Sequence, residues 1–111
     1  MLYSILIYGS VAGWTEEQEA AVLDRHAALR ERLAREGRLG PVMRLGSVAN
    51  APAAGADLLG MYVVDCGNDD EAASIARALH FEGASFEIRP VSNYLPGSLH
   101  IDAGARTGNS S

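Results

Sequence analysis

Apolar positions recur along this chain in two rhythms. Leu2–Tyr8 is an apolar run closed by Gly9 and Ser10, and it reads as a buried central strand. From Thr15 to Glu36 the period becomes helical, with no Gly or Pro in the segment. Val22, His26, Leu29 and Leu33 share one face, while Asp24, Arg25, Glu31, Arg32 and Arg35 lie mostly elsewhere. Thr15 is the expected N-cap, with a capping box to Gln18 and acids in the first turn. Gly37 is the expected stop.

Arg38–Val48 reads as a second strand, with Pro41 marking a bulge or an edge. Ala49–Ala56 reads as a loop, and Leu58–Cys66 as a third, apolar strand. Asn68 caps a helix starting at Asp69, whose buried stripe is Ala72, Ile75, Ala76 and Leu79. In the last strand, Ser85–Val91, Phe86, Ile88 and Pro90 share one face, and Glu87 and Arg89 the other. The order β-α-β-β-α-β predicts an α+β, ferredoxin-like domain: a four-stranded antiparallel sheet with two helices on one face. Strands 1 and 3 are apolar on both sides, so the second face also needs cover. A second copy of the chain supplies it, which predicts a homodimer. The domain spans 1–96, and 97–111, rich in Gly, Ser, Ala and Asn, reads as a flexible C-terminal tail.

The chain has 111 residues, enough for one domain. Its 48% hydrophobic content includes much Ala, which makes the core thin and favours dimerisation. The net charge of −5, with no basic stripe interleaved with aromatics, argues against nucleic acid and anionic membranes. The lone Cys66 has no internal disulfide partner and fits a reducing cytoplasm. The apolar N-terminus lacks a basic flank, so it reads as a strand and not a signal peptide. Neither a zinc spacing nor a Gly-rich nucleotide loop is present, so no metal or cofactor is expected.

His26 carries the most chemical information. An imidazole on a buried face needs a hydrogen-bond partner, and it carries protons near neutral pH. It reads either as a general base or as a core histidine bonded to a backbone carbonyl. His80, at the end of the second helix, is a candidate helper, and Glu82 a candidate partner carboxylate. Tyr3, Tyr8, Tyr62 and Trp14 are candidates to line a pocket for an aromatic or polyketide-like molecule. Trp14 is alternatively a hydrophobic staple. Arg44 and Arg89 are candidates to hold a carboxylate or phenolate.

Several segments, in order, resemble the YCII-related family, in particular its DGPF branch. They are LYSILIYGS, HAALRERLAREGRLG, LLGMYVVD followed by DDEAASIARAL, and GASFEIRPV, together covering about residues 1–92. The resemblance implies a ferredoxin-like fold paired into a dimeric α+β barrel. It also implies small cofactor-free enzymes, some implicated in aromatic dehydrochlorination, with a first-helix histidine and an aspartate as the proposed dyad. The histidine falls on His26. At the aspartate's place this chain reads ALHFEGA, with His80 and Glu82, and the DGPF hairpin is missing. Two function classes follow. One is a cofactor-independent lyase, isomerase or cyclase in biosynthesis, in which His26 moves a proton. The other is a non-catalytic ligand-binding or accessory protein.

Overall fold

The computed structural model describes residues 1–10, 12–46 and 57–99. Six elements follow in the order β1 (Leu2–Tyr8), α1 (Glu16–Arg35), β2 (Leu39–Arg44), β3 (Leu58–Asp65), α2 (Asp69–Leu79) and β4 (Ser85–Pro90). The sheet order is β2-β3-β1-β4 and every pairing is antiparallel. Each βαβ unit therefore straddles a strand of the other, which is the ferredoxin-like α+β arrangement. The loop expected at 49–56 and residues 100–111 of the expected tail lie outside the described residues.

The helix ends follow local chemistry. The Thr15 side chain accepts from the Gln18 backbone N–H at 3.1 Å, and the Gln18 side chain accepts from the Thr15 N–H at 2.8 Å. Both bonds of the capping box are made, so two amides that the first turn leaves orphaned are satisfied. After Arg35 the chain turns through Gly37 at φ +70°, a left-handed conformation that glycine adopts without a Cβ penalty. The Asn68 side chain accepts from the Glu71 N–H at 2.9 Å and starts α2.

β1 alternates strictly. Tyr3, Ile5 and Ile7 are buried and join the core, while Leu2, Ser4, Leu6 and Tyr8 are half-buried on the other face. Register carries this alternation across the sheet. Tyr3 pairs with Val64 and Pro90, and Ile5 with Tyr62 and Ile88. The pairing of β2 shifts between Leu39 and Val42, so Gly40 and Pro41 form the irregularity expected at Pro41. β2 is shorter than the sequence suggests, ending at Arg44.

The core lies between the sheet and the helices. Leu29 and Leu33 of α1 meet Ala72, Ile75, Ala76 and Leu79 of α2 there. All four residues of the stripe expected in α2 are buried, as are His26, Leu29 and Leu33 of that in α1, with Val22 half-buried against it. Among the described residues the far face of the sheet has no such cover. Leu6 stands opposite Met61, and Met61 opposite Met43, which is 45% exposed. This apolar row ends at Glu87 on β4.

Candidate functional site

The N-terminal half of α1 stands off the sheet over β2 and β3. It leaves a cavity of about 250 Å³. Gly60 helps to make the space, because it is a core-facing position of β3 without a side chain. An added Cβ at Gly60 would lie 2.5 Å from the Met43 carbonyl oxygen. Three aromatic rings shape the wall. Trp14 meets Phe81 edge-on at 5.2 Å between centroids, and Phe81 lies 6.1 Å from the His26 ring. Tyr62 stands edge-on to His26 at 6.4 Å.

His26 is 8% exposed and lines this cavity. Its Nε2 lies 2.7 Å from the Leu79 carbonyl oxygen. A carbonyl only accepts, so Nε2 carries the proton and Nδ1 is the basic nitrogen. Among the described residues Nδ1 has no hydrogen-bond partner. No fully enclosed side-chain nitrogen or oxygen there lacks one either, so Nδ1 is not fully enclosed, on a ring that lines the cavity. Burial pushes the His26 pKa below its ordinary value. The Leu79 bond opposes this, and Arg25 and Arg30 add to it. Burial therefore favours the neutral imidazole.

The partner of His26 is a carbonyl and not a carboxylate. Both fix the tautomer, but a carboxylate would also favour the imidazolium, and a carbonyl does so far less. The C-terminal end of α2 is tied down twice, since the Arg25 guanidinium also donates to the carbonyl of His80.

Among the other site candidates, Tyr62, Trp14 and Arg44 line the same cavity as His26. Tyr3 is buried in the core away from it, and its hydroxyl donates to Asp69 at 2.7 Å. Tyr8 sits on the opposite sheet face, where its hydroxyl donates to Glu87 at 3.2 Å. The His80 side chain is exposed, lies 6.0 Å from Phe86 and is not part of the wall that holds His26. Only the His80 backbone approaches α1. Glu82 is exposed and outside the cavity wall. Trp14 precedes the N-cap, yet no staple is possible, because the residue that would receive it is Glu19; it packs on Phe81 instead.

Arg30 and Phe81 are wall residues that the sequence did not single out. Arg30, one turn beyond His26, donates from Nη1 to the Tyr62 hydroxyl oxygen at 2.9 Å. Its i,i+4 spacing from His26 was the available signal. Phe81 follows α2 directly, and only the tertiary fold carries it to Trp14. Arg44 reaches Glu19 at 3.8 Å across the mouth. Among the described residues no group of three His, Cys, Asp or Glu is placed to hold a metal ion, and no helix is long and apolar enough to cross a membrane.

The YCII-related domain matches residues 1–94. This chain belongs to the YCII-related family. An uncharacterized family relative from Rhizobium meliloti (strain 1021) is 32% identical over 122 aligned residues, covering 89% of this chain and 98% of the relative. The crystal structure of a muconolactone isomerase resembles this YCII-related chain with a TM-score of 0.59 at 16% identity, covering 92% of this chain and 98% of that one. That likeness bears on the fold, which it supports over nearly the whole length of both chains.

Proposed function

We propose that this protein is a small cofactor-independent enzyme that moves a proton on a small aromatic or polyketide-like metabolite, with His26 as the base. The carrying observation is a histidine whose Nε2 is committed to Leu79 and whose ring lines a cavity walled by Trp14, Tyr62 and Phe81, which leaves Nδ1 as the free basic nitrogen. A cavity of about 150 Å³ already accepts benzene. About 250 Å³ accommodates one ring with substituents. Nδ1 would take a proton from an activated carbon. It would return it elsewhere in an isomerisation or cyclisation, or keep it while a leaving group departs with its electron pair in an elimination. A muconolactone isomerase shares the fold, so this scaffold accommodates isomerase chemistry.

Proton exchange at carbon tests this whatever product forms. A panel of aromatic and polyketide-like molecules is incubated with the protein in D₂O, and deuterium uptake at carbon is read by NMR. Exchange should fall about 10²–10⁴-fold in His26→Gln, whose amide nitrogen stands where Nε2 donates to Leu79. Uptake that survives His26→Gln unchanged would remove His26 as the base, and uptake no faster than without protein would leave the ligand-binding, accessory reading in its place.

The working unit in this proposal is a homodimer in the cytoplasm. The apolar row Leu6–Met61–Met43 on the uncovered sheet face is what supports the pairing. Sedimentation at micromolar concentration should give about twice the 11.7 kDa chain mass. A monomer at that concentration would remove the dimer from the proposal.

A further inference from the structure

The cavity wall is cationic, although the chain carries a net charge of −5. Arg30 and Arg44 both line it, and Glu19 is the acid there. Glu19 lies against Arg44. Arg30 has no carboxylate within ion-pair distance among the described residues. It is half-buried, and its one side-chain partner there is the neutral oxygen of Tyr62. A half-buried guanidinium without a counter-charge is an unusual thing to keep beside an apolar wall, because desolvating it costs energy that a neutral partner offsets poorly.

Tyr62 sharpens the point. A phenol has one proton to donate, and an Arg N–H can only donate. The Tyr62 oxygen is the acceptor in this contact, so its own proton remains free for another acceptor. Arg30 and Tyr62 thus present adjoining donors, one charged and one neutral, on the wall that also holds His26.

We propose that Arg30 and Tyr62 form an anion-receiving subsite, and that the ligand of this cavity is a small carboxylic acid with an apolar or aromatic body. The inference rests on the reading of the cavity as the ligand site and adds the chemical class. The carboxylate supplies the counter-charge that Arg30 lacks, and one of its oxygens accepts from the Tyr62 hydroxyl. The ring of the ligand packs on Trp14 and Phe81, beside the Nδ1 face of His26.

The probes are benzoate and benzamide, which have nearly the same shape and differ in charge. Each is titrated into ¹⁵N-labelled protein. The readouts are the indole N–H of Trp14, the chain's one tryptophan, and the His26 ring signals. Benzoate should bind about tenfold or more tightly than benzamide, as expected for charge-assisted hydrogen bonds. Arg30→Gln should bring benzoate down to the level of benzamide and leave benzamide unchanged. Should that variant not fold, Tyr62→Phe serves instead and should lower benzoate affinity selectively.

Equal binding of the two probes at Trp14 would overturn the anion subsite while leaving the cavity as a ligand site. A benzoate preference that survives both substitutions would overturn the assignment to Arg30 and Tyr62. If neither probe moves Trp14 or His26, the subsite and the underlying cavity reading fall together.

Discussion

Tyr3 and Tyr62 lie on neighbouring strands, both buried, both facing the helices, and their hydroxyls are used in opposite ways. Tyr3 donates its proton to Asp69 at the start of α2. The Asp69 bond is the main reason its pKa is pushed up to about 12, with burial adding to it. Tyr62 instead accepts from Arg30 and keeps its proton. One hydroxyl is a structural tie between β1 and α2, and the other is left available beside an open cavity. The same division runs through the whole layer. Tyr3 shares the closed core with Leu33, Ile75 and Leu79, whereas Tyr62 lines a cavity together with Val22, Trp14 and Gly60.

The two tyrosines give the largest expected contrast. Tyr3→Phe removes a hydrogen bond to a charged acceptor and should lower the folding equilibrium constant about tenfold or more. Tyr62→Phe should change it much less, since Arg30 keeps access to solvent through the cavity. Denaturant titration of both variants decides this, and equal losses would erase the distinction. The Tyr3 link is also pH-dependent. Its folded pKa is raised, so its stabilisation is present below the ordinary value of about 10 and is lost as pH rises through about 12. Burial and the Glu87 bond raise Tyr8 as well, so an absorbance titration of the phenols should show late titration from which Tyr3→Phe removes the component near 12.

A smaller effect distinguishes the closed and open ends on the acid side. The His26 pKa is lowered by burial, so the unfolded chain binds this proton more readily than the folded one. Its contribution is present above the unfolded value of about 6.5 and is lost as pH falls through the lower folded value. His26→Gln keeps a donor for Leu79 and cannot titrate, so it should flatten that part of the stability–pH curve. A wild-type slope retained in the variant would assign the acid sensitivity to other groups.

Much of the fold was legible because its signals are local. The Thr15 and Asn68 caps, the change of period from β1 to α1 and the irregularity at Pro41 each depend on a few adjacent residues. The stripe that includes His26 was readable for the same reason. The roles of the tyrosines were not, because Asp69 and Arg30 reach them across 66 and 32 residues. Alternation alone separates Tyr3 from Tyr8, given which face of β1 the helices cover. No local rule separates Tyr3 from Tyr62. His80 shows the converse. Two helices on one sheet face suggest that His80 approaches His26, but the backbone at the end of α2 turns extended, and the ring lies against Phe86.

Gly60 constrains how this cavity is able to diversify. A side chain there would meet the Met43 backbone oxygen before it met any ligand, so the β2–β3 pairing and the depth of the chamber depend on one position. Changing the floor therefore disturbs the sheet edge itself. The roof, formed by Val22 and the exposed Leu23 of α1, carries no such obligation. Descendants of this sequence adapting to larger or smaller molecules would do so by exchanging helix residues, over a floor that stays bare.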